Sequence, residues 1–155
     1  MDASFLISAE QIRRWDLLPK LGGDLLTAPV VYTEVVERGL QLGYPDAQET
    51  KRQLFDRQTI QLRDPMAVPG GASPDAVLLQ LALEAKGELY SDDTALVRRA
   101  RLAGLAAYRF PDALLILLKA GRVSPAEYRT LLLELRARSR IDEPTLQLYL
   151  RLGGA

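Results

Sequence analysis

Two adjacent carboxylates, Asp92 and Asp93, stand between the apolar pair Leu89-Tyr90 and a helix carrying Arg98, Arg99 and Arg101. Three further acids, Asp2, Glu34 and Asp75, occupy comparable junctions of an alternating strand and helix pattern. In open α/β sheets, sites form beyond the carboxyl ends of the strands. Carboxylates converging there make an oxygen-rich pocket suited to a hard divalent cation such as Mg2+ or Mn2+. Acids held together repel one another unless a cation is present. A cation in such a nest acidifies water and stabilises the charge that develops on a cleaving phosphodiester.

Each acid also has a plainer reading. Asp2 reads as a solvated terminal residue, and Glu34, between Val31 and Val35, as the margin of a buried helical stripe. Asp75 at the second helical position favours the helix dipole. One of Asp92 and Asp93 caps the next helix, which is worth about 1 kcal/mol.

The remaining composition narrows the chemistry. The chain has no histidine and no cysteine, which removes disulfides, the usual zinc sites, Cys or His nucleophiles and imidazole bases. A carboxylate–metal site is the hydrolytic constellation left. Twenty basic residues balance twenty acidic ones, so attraction to a polyanion must come from a local patch. No Gly-rich phosphate loop is present. No apolar run approaches the ~20 residues of a membrane span, and no basic leader precedes the first apolar run. A cytoplasmic protein is expected.

These residues need elements to position them. A chain of 155 residues fits one compact domain with a sizeable core. Ala3 to Ile7 is a short apolar run, and Ala9 to Trp15 reads as a helix. Leu25 to Ala28 reads as a strand, followed by a helix from Pro29 that stops at Gly39. Pro45 to Arg57 is a polar helix, and Thr59 to Leu62 alternates like a strand. Asp64 to Ala72, rich in Pro and Gly, is a loop. Ser73-Pro74-Asp75 opens a helix through Ala85, ended by Gly87. Glu88 to Ser91 and Leu105 to Tyr108 are strands, with a helix from Thr94 to Ala103 between them. Three helices complete the chain: Pro111 to Ala120, Pro125 to Ala137 with a capping box at Ser124, and Pro144 to Leu152. Strands spaced by helices predict an α/β/α sandwich around a parallel sheet of four or five strands. A core of about residues 1–120 carries a helical appendage over 121–155.

The ordered series Asp2-Ala-Ser-Phe-Leu-Ile, Ala28-Pro-Val-Val-Tyr-Thr-Glu34, Ser73-Pro-Asp75-Ala-Val-Leu-Leu-Gln-Leu-Ala82 and Leu89-Tyr-Ser-Asp-Asp93 resembles the PIN-domain family over roughly residues 1–120. The resemblance implies a Mg2+- or Mn2+-dependent ribonuclease, commonly the toxin of a toxin–antitoxin pair. By position it makes Asp2, Glu34, Asp75 and Asp93 the metal-binding acids, with Asp92 a neighbour or substitute. The family places an apolar strand before its first acid, and here only Met1 precedes Asp2. Two arrangements fit: an apolar strand upstream, or a first strand built from Ala3 to Ile7 with Asp2 displaced.

On this reading Arg98, Arg99 and Arg101, with Arg13 and Arg14 of the first helix, hold RNA phosphates at the rim; the plainer reading is a solvated helix face. Arg136, Arg138 and Arg140 read as solvated. The leucines at 114, 115, 117, 118 and 131–133 exceed what one helical stripe buries, so a homodimer is expected, together with a cognate antitoxin over the acid pocket. The rival classes are a PIN-like interaction module without catalysis and a phosphoacceptor pocket on a flavodoxin-like sheet. The second wants an acid pair after the first strand and a lysine after the last, and Tyr108-Arg109 supplies neither.

Overall fold

The computed structural model describes residues 1–68 and 70–154; Pro69, within the expected loop, and Ala155, at the end of the expected appendage, lie outside them. α1 (Ala3–Gln11) leads through two 3₁₀ turns, Trp15–Leu17 and Pro19–Leu21, to β1 (Leu26–Thr27). α2 (Pro29–Tyr32) continues through a π-helical stretch, Thr33–Glu37, into α3 (Arg38–Gln41). α4 (Pro45–Thr50) likewise widens into π turns, Lys51–Asp56, ahead of β2 (Gln61–Leu62). α5 (Pro74–Ala85), β3 (Leu89–Tyr90), α6 (Thr94–Leu102) and β4 (Ala107–Tyr108) come next in alternation. α7 (Phe110–Lys119), α8 (Pro125–Ala137) and α9 (Glu143–Leu152) close the chain.

Local chemistry accounts for these boundaries. Ser73 accepts from the Ala76 amide at 3.2 Å and Pro74 fills the first helical position, so α5 starts where the sequence predicts. It ends on Lys86, whose φ of 51° is left-handed, one residue before the expected glycine. Gly39 does not stop its helix. It lies inside α3, and a Cβ there would come within 2.8 Å of the Ala47 Cβ, so the bare backbone lets α3 approach α4.

The strands form two parallel pairs, with Leu26 beside Gln61 and Leu89 beside Ala107. Among the described residues they do not join into one sheet of four or five strands. A two-residue seam bridges them. The Met1 amine donates to the Leu26 carbonyl at 2.7 Å, and the Asp2 amide donates to the Tyr90 carbonyl at 2.8 Å. Ala3 to Ile7 builds no strand, because Asp2 caps α1 at that point and the run is helical. Beside the seam lies a cavity of about 380 Å³, lined in part by Leu25, Leu26, Leu78, Leu81, Leu89 and Tyr90. Burial pushes the Met1 amine down to about 6, outweighing the attraction of Asp2.

The main apolar cluster runs from Phe5 and Leu6 of α1 through Leu54 and Leu114 to Leu132 of α8. Most of the leucine surplus expected at a dimer interface is buried inside the chain, Leu114, Leu117, Leu131 and Leu132 among it; Leu133 remains exposed. The Phe5 ring lies 5.2 Å from Tyr90 and 4.8 Å from Phe110, locking α1 to β3 and α7. No helix among the described residues is long and apolar enough to cross a membrane.

Candidate functional site

The two neighbouring acids after β3 have opposite environments. Asp93 caps α6, its Oδ1 accepting from the amides of Ala95 at 2.9 Å and Leu96 at 3.2 Å. The residue is exposed, and no described residue donates a hydrogen bond to its Oδ2. Asp92 turns inward, with its side chain 10% exposed. Its Oδ1 accepts from the Phe110 amide at 2.8 Å, its Oδ2 from the Ser8 hydroxyl, and the Arg140 guanidinium stands 3.7 Å away. Asp92 thus ties α1, α7 and the α8–α9 turn together.

Asp2 is buried rather than solvated. Its Oδ1 accepts from the Ala3 amide at 2.8 Å, and its Oδ2 accepts from the hydroxyls of Ser4 and Ser91, both at 2.7 Å. The Ser91 Oγ also accepts from the Asp93 amide at 3.0 Å. One buried hydroxyl therefore joins the first acid of the chain to the last candidate. Asp75, in the first turn of α5, has its carboxyl pushed up by burial and then by the charges of Asp2 and Asp93, with Arg99 opposing. Asp75 thus lies within reach of the charges of both Asp2 and Asp93.

Glu34 sits on the π-helical stretch and is exposed, and it is not among the charges that act on Asp75. Among the described residues no three carboxylates stand close enough together to hold one metal ion. Of the four acids read from the sequence, Asp2 and Asp93 act on the Asp75 carboxyl, and the four do not gather into one metal-holding group among the described residues. The donor chemistry still suits a hard cation: all are carboxylate oxygens, and their mutual repulsion is what a divalent ion relieves.

The arginines separate in the same way. Arg99 is the one whose charge reaches Asp75. Arg98 is exposed, and Arg101, near the opposite end of α6 from Asp93, donates to the Ala107 carbonyl at 2.8 Å. Arg13 pairs with Asp46 and lies 5.3 Å from the Trp15 ring centroid. Arg14 binds Asp16 at 2.8 Å and Glu127 at 2.7 Å. Arg140, read as solvated from the sequence, is instead held by the Ser8 hydroxyl and the Ser4 carbonyl, both at 2.9 Å. Sequence reasoning does not single out Ser4, Ser8, Ser91 or Arg140. The position of Ser91 directly before Asp92-Asp93 is a short-range signal that could have found it; Arg140 lies 132 residues from Ser8 and has none.

A family model described as a PIN domain matches residues 1–154, and the chain belongs to the PIN-domain family. PIN domains are in general nucleases and in general use divalent metal ions. Comparison with curated proteins and with solved structures returned no match.

Proposed function

We propose that the chain is a metal-dependent endoribonuclease that hydrolyses RNA phosphodiester bonds. Asp2, Asp75 and Asp93 would hold Mg2+ or Mn2+, with Glu34 as the fourth acid. The observation that supports this reading is the Ser91 hydroxyl, which donates to the Asp2 carboxylate and accepts from the Asp93 amide, linking segments separated by most of the chain. A bound divalent ion supplies electrophilic stabilisation of the phosphoryl group and acidifies water. The chain's own part is positional. The α6 cap fixes Asp93 through one oxygen, Ser4 and Ser91 fix Asp2, and Arg99 offsets the charge gathered at Asp75. We further propose the role of a cytoplasmic toxin, homodimeric and bound by a small antitoxin that brings an arginine beside Asp93 or Asp75 in competition with the ion.

A second reading, a PIN-domain interaction module without catalysis, is favoured by the hydrogen bonds already made by both oxygens of Asp2. Cleavage of a fluorescent RNA with Mn2+ or Mg2+ separates the two. Asp93→Asn is the sharp variant, because Asn caps a helix as well as Asp does. Cleavage by the parent protein, lost in Asp93→Asn and Asp75→Asn with circular dichroism unchanged, is the expected result. Full activity in both variants removes the assignment, and no cleavage by the parent protein with either ion favours the module.

A further inference from the structure

A second cavity, of about 480 Å³, opens at the start of α6 and is lined in part by Thr94, Arg109, Arg136, Arg140, Asp142 and Thr145. Three guanidinium groups and one carboxylate, Asp142, line it, while Asp92 and Glu143 pair with Arg140 and Arg136 from outside the lining. The arginines are not all committed elsewhere. The Arg109 Nε is buried and has no acceptor within the protein, a state that an anion would relieve. Arg136 reaches Glu143 at 3.2 Å through an ion pair with both side chains well exposed, which solvent screens. Arg140 donates from Nε to Ser8 and from Nη2 to Ser4 and stands 3.7 Å from Asp92, so its orientation is fixed before any ligand arrives and part of its charge is already offset. Thr94 begins α6, Arg109 precedes α7 and Asp142 caps α9. Three helix N-termini therefore meet at the cavity, those of α6 and α9 already capped by the carboxylates of Asp93 and Asp142.

We infer that this cavity is a subsite for a backbone phosphate of single-stranded RNA, flanking the bond presented to the acids. The inference rests on the ribonuclease reading for the identity of the polymer. It rests on the cavity itself for the anion. Thr94 comes directly after Asp93, so a strand crossing the acids meets the arginines within its next phosphates. Arginine forks grip phosphate oxygens in pairs, and the open, partly exposed lining admits a passing strand.

The test is binding in EDTA, where cleavage cannot interfere. A labelled single-stranded RNA is titrated by anisotropy across a salt series with the parent protein, Arg109→Gln, Arg136→Gln and, as a charge control, the exposed Arg57→Gln. Weaker binding is expected for the two cavity variants, with the slope of log K against log salt lowered by about 0.7 for each contact removed. Arg57→Gln should match the parent. Arg136 is exposed, so its variant remains informative even if Arg109→Gln folds poorly. Unchanged slopes in both cavity variants would overturn the subsite, even with RNA cleavage intact. Equal competition by oligo-aspartate would overturn the RNA assignment in favour of an acidic protein segment. A parent protein that binds RNA through these arginines yet cleaves none would fail the nuclease reading and leave the subsite standing.

Discussion

The surroundings of Ser91 and the helix that carries Glu34 are built on different plans. Around Ser91, the acids Asp2 and Asp92 are fixed by hydrogen bonds to remote segments. Asp2 meets Ser91 across 89 positions, and Asp92 meets Ser8 across 84. Along Pro29–Gln41, the helix phase buries Val31, Val35 and Val36 and turns Glu34 to solvent. The stretch between α2 and α3, Thr33–Glu37, is π-helical. The lesson is that a carboxylate held by several donors keeps its rotamer without a ligand, whereas one turned to solvent needs a ligand to draw it in.

Asp92→Ala should break this comparison most visibly. It strips a nearly buried carboxylate from the Phe110 amide, Ser8 and Arg140. Removing one partner from such a buried pair costs on the order of 3 kcal/mol, read as a lower urea midpoint at constant slope. Asp93→Ala should lose only about 1 kcal/mol as a cap. Equal losses in the two variants would erase the distinction between the neighbours.

Glu34→Gln tests the other region. Its stability should stay within about 0.5 kcal/mol of the parent, as for an exposed site without partners. Mn2+ affinity, measured by calorimetry, should fall less than in Asp93→Asn. A loss as large as that of Asp93→Asn would show that Glu34 joins Asp2, Asp75 and Asp93 once the ion is bound.

The smallest effect concerns pH. Folding raises the Asp75 carboxyl above its unfolded value, so folding favours its protonated form. That contribution is fully present below the unfolded pKa and is lost as pH rises through the folded one. Metal-free Asp75→Asn should therefore melt slightly above the parent at neutral pH, with the gap closing in acid. Since Asp75 is only partly buried, screening keeps the difference small. Mn2+ binding should show the opposite slope, strengthening as Asp75 ionises. A gap that widens in acid would contradict the burial of Asp75 and its repulsion by Asp2 and Asp93.

Much of the helical framework is legible in the sequence because its signals are local. Ser73-Pro74 and Ser124-Pro125 open α5 and α8 where proline and a hydroxyl cap predict. α1 is not legible. Its buried positions Ala3, Phe5, Leu6, Ser8 and Ala9 lie on more than one face, so the segment reads as an apolar run without helical period. The two-residue strands are found approximately, but their separation into two pairs depends on what lies between them in space. The candidate acids are visible as types at junctions. Which of Asp92 and Asp93 faces outward is decided by Ser8, Phe110 and Arg140, none of them a near neighbour in sequence.

Synthesis order gives the seam between the strand pairs a temporal meaning. Asp2 leaves the ribosome long before Tyr90 and Ser91, and at roughly 5–20 residues per second the wait lasts seconds. Through that interval Asp2 has neither the Tyr90 carbonyl nor the Ser91 hydroxyl, and Phe5 has neither of its ring partners. The residues of β1 and β2 have been synthesised by then, whereas the Asp2–Ser91–Asp93 arrangement needs β3 and the residues after it. A nascent chain halted before Tyr90 would carry half of the framework and none of this acid arrangement.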